Sequence, residues 1–249
     1  MADVKGTNSV TTGMTGMTRR DVVRHTAVLG TATLVGGGSV LALPAGAAAA
    51  ERPGPDDAPK RPTSPNGWEL EEKANDVSTV WTRPVPGTGL DVDVRIGDVE
   101  TVLVHVVRRF HYEIDELRKG DLGGWRAPAR VKLTRAEGNQ ASGTAVAIRP
   151  GSYPPGAEGG FYSPQLMVIR DILAECDGVV RWGGDDDRPY EALFSIDVPP
   201  GDKRLTDLVA RLRNWADEPG AGPGTRVDVV DAKRRAAATA LERRQKKTA

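Results

Sequence analysis

The sequence predicts a single α+β domain, in which a small antiparallel sheet is flanked by helices. Strand-like and helical segments are interspersed along the middle of the chain, and at least one pair of strands is joined by a tight turn. The composition confines the packed region to that middle part. Only 39% of the 249 residues are hydrophobic and 5% are aromatic, whereas Gly and Pro number 29 and 18. We therefore expect polar or small-residue segments at both ends.

A β-hairpin is the first element that the pattern predicts. Residues 78–83 are strand-like, residues 86–89 form a Pro/Gly turn, and residues 90–95 alternate between apolar and polar side chains. Asp98 is placed to cap the helix that follows. The apolar side chains of that helix recur at helical spacing, at Val99, Val102, Leu103, Val106 and Phe110.

Two further helices and two strands complete the predicted domain. Ser163 and Pro164 are typical of an N-cap and a first helical position, and they open the second helix. Buried strands are predicted at residues 179–182 and 192–196, separated by a Gly/Asp-rich loop. Asp202 begins the last core helix, whose apolar face contains Leu205, Leu208, Val209, Leu212 and Trp215.

The first fifty residues predict export. Residues 18–24 are basic and contain Arg19 and Arg20, residues 27–43 are weakly apolar, and residues 44–50 are small. That order defines an export signal. The paired arginines and the Gly- and Thr-diluted apolar segment resemble a twin-arginine signal, which implies an extracellular or cell-wall-associated protein. The apolar segment is too short and too polar for a stable membrane span.

The remaining boundaries follow from composition. We predict a Pro-rich linker at residues 51–67, the domain at residues 68–216, and a Pro/Gly break with a basic, Ala-rich tail at residues 217–249. The tail is either a helix or disordered, and it either contacts teichoic-acid or lipid phosphates or stays solvated without a partner. Because 34 basic residues balance 34 acidic ones, no net field favours nucleic acid. Cys176 is the only cysteine, which excludes an intrachain disulfide.

Three segments carry a resemblance to a known family. They are residues 139–147 (NQASGTAVA), residues 180–185 (VRWGGD) and residues 188–196 (RPYEALFSI). In this order and spacing they resemble the M15 peptidases, specifically the D-alanyl-D-alanine carboxypeptidase-like branch. The resemblance covers about residues 66–215 and implies a hedgehog/DD-peptidase-like fold.

The resemblance implies a zinc site, but the residues at its positions cannot form one. The family's two histidine ligands fall on Gln140 and Leu193, its aspartate ligand falls on Ala147, and its general base falls on Tyr190. Amide and hydrocarbon side chains are poor substitutes for imidazole and carboxylate, and a tyrosine is a poor base near neutral pH. We therefore expect no zinc cofactor and a catalytically inactive pseudoenzyme.

The leading hypothesis is a pseudopeptidase that binds a peptidoglycan stem peptide, or a cell-envelope protein, in the relic cleft. Candidate peptide-binding residues are Arg126, Arg130, Ser142, Arg181, Trp182 and Asp185. One alternative is an active metallopeptidase with an oxygen-ligand metal site around Asp185, Asp186, Asp187 and Glu191. The other is a structural interaction protein whose cleft is filled by Leu193 and Tyr190. The oligomeric state is not decided by the sequence.

Overall fold

A computed structural model describes residues 61–220, 222, 224, 225 and 227–247 of the chain. The predicted export signal and residues 51–60 of the predicted linker lie outside these residues. The described part has two small antiparallel sheets and four α-helices. The predicted α+β class is therefore confirmed at this coarse level. None of the helices in the described part is both long enough and apolar enough to cross a membrane.

The predicted hairpin is present. Strands β1 (Val80–Val85) and β2 (Leu90–Arg95) pair antiparallel, from Val80 opposite Arg95 to Val85 opposite Leu90. The first strand begins two residues later than predicted, because the Ser78 hydroxyl accepts a hydrogen bond from the Val80 N–H and turns the chain there. The connecting turn uses Gly87 and Gly89, whose φ angles of 84° and 71° suit glycine.

The second sheet has the strand order β3-β4-β6-β5, and every neighbouring pair is antiparallel. Its strands are β3 (Leu122–Gly123), β4 (Ala145–Ile148), β5 (Val180–Trp182) and β6 (Leu193–Ile196). The two central strands, β4 and β6, are buried along their whole length. Strand β3 was not predicted, because two residues are too few to show an alternation of apolar and polar side chains.

The helices are α1 (Asp98–Glu113), α2 (Ser163–Glu175), α3 (Lys203–Asp217) and α4 (Ala232–Gln245). Asp202 caps α3 as predicted, and its side chain accepts a hydrogen bond from the Arg204 N–H. The predicted caps of the first two helices are wrong by one residue. Gly97 occupies the N-cap of α1 with a φ of 91°, and Tyr162 occupies the N-cap of α2.

The core lies between helix α1, helix α2 and the four-stranded sheet. Phe110 of α1 meets Phe194 of β6 and Phe161 edge-on, with ring centroids 6.3 and 6.0 Å apart. The packing extends beyond residues 68–216 on both sides. Ser64 is buried before the predicted start, and the predicted tail forms helix α4, which packs against α2 through buried Ala238 and Leu241.

Candidate functional site

The three positions to which the M15 resemblance assigns metal ligands lie close together in the fold. Ala147 of β4 and Leu193 of β6 are direct cross-strand partners, so their side chains share one face of the sheet. Gln140 lies in the 3-10 helix Ala136–Ser142, and its Nε2 donates to the Gly123 carbonyl at 3.2 Å. Gly123 in turn pairs with Ala147. Backbone pairing thus brings the three positions together.

The side chains at these positions do not suit a zinc ion. Ala147 and Leu193 present hydrocarbon, and both are buried. Gln140 is also buried and uses its Nε2 to donate to the carbonyls of Gly123 and Gly124. Its Oε1 is a single neutral acceptor, which has no hydrogen-bond partner among the described residues. An amide and two hydrocarbons cannot form the His/Asp ligand set of a catalytic zinc site.

Tyr190 is the residue to which the M15 resemblance assigns the position of the general base. Its ring is buried, and burial raises the pKa of its hydroxyl. The positive charge of Arg126 partly offsets that effect on the pKa, whereas the negative charge of Glu137 adds to it. A hydroxyl whose pKa lies above the ordinary value of 10 stays protonated near neutral pH. Tyr190 can donate a hydrogen bond to a ligand, but it cannot remove a proton from water.

An open cavity of about 470 Å³ lies above Tyr190, and we call it the cleft. It is lined by Pro65, Asn66, Thr134, Arg135, Ala136, Glu137, Asn139, Pro155, Arg181, Asp186, Asp187, Arg188, Tyr190, Ser195 and Asp197. Both signs of charge are present among the lining residues. The cations are Arg135, Arg181 and Arg188, and the carboxylates are Glu137, Asp186, Asp187 and Asp197. Such a surface suits a ligand that carries both carboxylate and ammonium groups.

Part of this charge is engaged within the protein. Arg181 Nε donates to Asp186 Oδ1 at 2.8 Å, and Arg181 Nη1 donates to the Gln245 carbonyl at 3.4 Å. Asp197 is exposed on its outer side, but the surrounding protein limits its solvation and raises the pKa of its carboxyl. Arg188 and Asp187 are exposed and form no ion pair with a described residue. The charged groups available to a ligand are therefore Arg135, Glu137, Asp187 and Arg188, and we call these four residues the rim of the cleft.

Two of the predicted peptide-binding residues lie in or next to the cleft. Arg181 lines it, and Arg126 is an exposed residue whose charge acts on Tyr190. Arg130 is exposed at the end of the 3-10 helix Pro128–Arg130 and does not line the cleft.

The other three predicted residues make contacts inside the protein. The Ser142 hydroxyl is fully buried and donates to the Asn139 carbonyl at 2.9 Å. Trp182 Nε1 donates to the Glu191 carbonyl at 2.6 Å, and Asp185 forms a buried ion pair with Arg170. These contacts position the strand and the loop rather than a ligand.

The carboxylates of the alternative metal site point to separate partners. Asp185 pairs with Arg170, and Asp186 pairs with Arg181. Glu191 accepts hydrogen bonds from the backbone N–H groups of Gly159 and Gly160 at 2.9 and 2.8 Å. Within the described part of the chain, no group of three or more His, Cys, Asp or Glu side chains is arranged to hold a metal ion.

Sequence reasoning did not name Arg135 or Arg188 as ligand-binding candidates, although Arg188 begins the third motif segment and Arg135 lies four residues before the first. It also missed a buried group of charges at the junction of α1, α2 and α4, which we call the ion cluster. Its members are His105, Arg109, Glu113, Asp171, Glu175 and Arg234. Their spacing of four residues, at 105, 109 and 113 on α1 and at 171 and 175 on α2, places each set on one helix face and is a signal that could have found it.

Arg109 is the centre of the ion cluster. Its guanidinium is almost fully buried, and it contacts Glu113, Asp171 and Glu175 at 2.5, 3.0 and 3.3 Å. Burial alone would lower the pKa of Arg109, but these three carboxylates raise it above its usual value. Arg234 of α4 adds a second cation, at 2.6 Å from Asp171. The ion cluster therefore joins three helices rather than forming a site.

No protein-family model, no curated protein and no solved structure significantly matches the chain. The likeness to M15 peptidases rests on the motifs of the sequence.

Proposed function

We propose that this protein is an exported pseudopeptidase of the M15 type, which binds a peptidoglycan stem peptide in the cleft without cleaving it. One observation carries the proposal. An open cleft with charges of both signs lies above Tyr190, while Gln140, Ala147 and Leu193 occupy the family's ligand positions without a metal-binding group. The site has kept room for a ligand and lacks the groups that would activate water.

The family and the finer fold are part of this proposal. The order of the three motif segments favours them, and so does the convergence of positions 140, 147 and 193 through strand pairing. The α+β architecture with a small antiparallel sheet is compatible with a hedgehog/DD-peptidase-like fold. The fold and the order of the motifs favour common descent with the M15 peptidases. Neither determines the function, which depends on the residues of the cleft.

The cleft has the size and the chemistry for a short peptide. Its volume of about 470 Å³ lies within the usual range of small-ligand pockets. A stem peptide carries carboxylates and an amine on one flexible chain. The guanidinium groups of Arg135 and Arg188 can hold carboxylates, while Glu137 and Asp187 can receive the amine. The Tyr190 hydroxyl adds a neutral donor at the floor.

Export places the protein where such a ligand occurs. The basic, apolar and small-residue segments within the first fifty residues support a twin-arginine signal. We accordingly propose an extracellular or cell-wall-associated location.

A second candidate function is a purely structural interaction protein, which binds another cell-envelope protein through a different surface. The observation in its favour is that Leu193 and Tyr190 are both buried, so that most of each side chain packs within the protein. The open volume favours ligand binding instead, because Arg135, Glu137, Asp187 and Arg188 line it and form no ion pair with a described residue, which leaves them available to a ligand.

The test is calorimetric titration of the purified chain with a synthetic stem pentapeptide that ends in D-Ala-D-Ala. The double variant Arg135→Gln/Arg188→Gln should bind at least about tenfold more weakly, because two charge-assisted contacts are lost. The matched control, Arg118→Gln/Lys119→Gln, removes the same charge from exposed residues outside the cleft lining and should bind normally.

Two results would contradict the proposal. Absence of saturable binding by the unsubstituted chain would favour the structural role. Release of D-Ala in the presence of any divalent metal ion would favour an active peptidase with a non-standard site.

A further inference from the structure

Helix α4 has two faces with different roles. Its inner face docks on the domain through buried Ala238, Leu241 and Gln245, and through the ion pairs of Arg234 with Asp171 and Glu175. Its outer face is basic and exposed. Lys233, Arg243 and Arg244 lie there, and Lys247 lies two residues beyond the last residue of the helix.

The helical period gathers these cations on one side. At 3.6 residues per turn, Lys233 and Arg244 lie about three turns apart on the same side, which separates them by roughly 16 Å along the axis. Arg243 falls on the neighbouring strip of the same surface. None of these cations, nor Lys247, forms an ion pair with a described residue.

Nothing on α4 neutralises this face. Glu242 is the only carboxylate between the first and the last residue of the helix, and it is already paired with Arg170 and Lys246. We call the surface of Lys233, Arg243, Arg244 and Lys247 the basic face. The unneutralised positive charges of the basic face are spread along the helix axis. This arrangement matches a linear ligand better than a compact one.

We propose that the basic face binds a linear poly(alditol phosphate), a soluble chain of phosphodiester-linked polyols. Arginine guanidinium groups suit phosphate because they can bind two of its oxygens at once. A lipid bilayer is the less suitable partner. Apart from Arg235, which lies on another side of the helix, the exposed positions between Lys233 and Arg243 are filled by alanine and threonine, and no large apolar side chain of α4 is exposed for insertion.

The basic face ends next to the cleft. Gln245 Nε2 donates to the Val180 carbonyl of β5 at 2.8 Å, and the Gln245 carbonyl accepts from Arg181, which lines the cleft. A phosphate polymer that is attached to a peptide-bearing wall would therefore reach both surfaces of one molecule. Binding of the polymer does not depend on the cleft, so the two proposals fail or succeed separately.

The experiment measures binding of the chain to purified poly(glycerol phosphate) at 50 and 200 mM NaCl. The variant K233Q/R243Q/R244Q/K247Q should lose at least about tenfold in affinity, and its binding should depend less steeply on salt. The matched control, K73Q/R118Q/K119Q/K132Q, removes the same charge from other exposed positions and should retain affinity within about twofold. Far-ultraviolet circular dichroism and a urea transition verify that both variants fold.

Three results would overturn the proposal. One is an equal loss in the two variants, which would show that only net charge matters. The second is tighter binding to vesicles of anionic phospholipid than to the polymer, which would assign the basic face to a membrane. The third is tighter binding to a DNA oligonucleotide. Stem-peptide affinity, measured in the same variants, should stay unchanged.

Discussion

The ion cluster and the cleft are both rich in charge, yet they use it differently. In the ion cluster, the guanidinium groups of Arg109 and Arg234 and the imidazole of His105 face the carboxylates of Glu113, Asp171 and Glu175 at contact distance. In the cleft, the charges on the rim are exposed or half-buried. Arg135, Glu137, Asp187 and Arg188 form no ion pair with a described residue.

This difference in pairing indicates which charges stabilise the fold and which are available to a ligand. A charge that is buried among partners becomes costly to remove, because its partners lose their compensation. A solvated charge costs little to keep and little to remove. We therefore expect substitutions in the ion cluster to change stability, and substitutions in the cleft to change binding.

The largest expected effect is that of Arg109→Met. This change leaves Glu113, Asp171 and Glu175 with only Arg234 and His105 for compensation, and truncation of one partner in a buried ion pair typically costs about 3–5 kcal/mol. The free energy of unfolding, measured with urea, should fall by that amount.

Its control is Arg83→Met, which removes an ion pair with Glu100 on the surface. We expect a loss of less than about 1 kcal/mol there. Equal losses for the two variants would show that the ion cluster stabilises the fold no more than a surface pair.

A pH titration of stability should reveal the same cluster. Burial opposes ionisation of Glu175, but the hydrogen bond from His105 and the charge of Arg109 lower its pKa from the usual 4.5 to about 2. Because the folded pKa lies below the unfolded one, this stabilisation is complete above pH 4.5 and is lost as the pH falls towards 2. The loss should be on the order of 3 kcal/mol, since one pKa unit corresponds to about 1.4 kcal/mol.

Urea transitions at several pH values between 7 and 2 would measure this slope. Glu175→Gln should flatten it, whereas Glu100→Gln on the surface should leave it unchanged. An unchanged slope in Glu175→Gln would assign the acid sensitivity to another carboxyl.

The sequence predicted the fold well where periodicity carries the information. Residues 90–95 alternate as a strand and form β2, and the apolar stripe that begins at Val99 forms the buried face of α1. The first residues of β1 and α1 differ from the predicted ones for local reasons. Ser78 turns the chain before β1, and Gly97 occupies the N-cap of α1. Strand β3 escaped prediction because its pairing is set by β4, a long-range partner.

The candidate site was predicted only in part. The motifs located Tyr190, Gln140 and Leu193, because those positions follow from local spacing. The pattern could not tell that Asp185 is held by Arg170, or that Ser142 is fully buried. Such contacts join residues that are distant in sequence or depend on burial, and a single sequence gives no information about them. The peptide-binding roles and the export signal stay predictions.

Introducing the ligands that the M15 resemblance implies would test whether the three positions have the geometry of a zinc site. The variant Gln140→His/Ala147→Asp/Leu193→His places two imidazoles and one carboxylate at converging positions. We expect it to bind about one zinc ion per chain, measured by elemental analysis. Zinc at about one hundred times its dissociation constant should then raise the free energy of unfolding by about 2.7 kcal/mol.

The unsubstituted chain is the control and should retain only washable, substoichiometric zinc. If the triple variant folds but binds no zinc, the three positions do not converge as the M15 resemblance implies. If the unsubstituted chain itself binds one zinc ion, the positional correspondence is wrong.

The smallest expected effect on stability is that of Tyr190→Phe, and it is compared with the effect of Glu191→Gln at the next residue. Tyr190 lines the cleft, whereas the Glu191 carboxylate is held inside the protein. Tyr190→Phe removes a hydroxyl with no hydrogen-bond partner among the described residues, so the free energy of unfolding should change by less than about 0.5 kcal/mol. Glu191→Gln replaces a buried carboxylate that accepts from the N–H groups of Gly159 and Gly160, and it should cost about 1.5–3 kcal/mol. Stem-peptide titration should show the reverse order, with weaker binding by Tyr190→Phe because the floor of the cleft has lost its donor. If Tyr190→Phe instead destabilises the fold and leaves peptide binding intact, the tyrosine fills the relic site as part of the core, and the structural role becomes the better account.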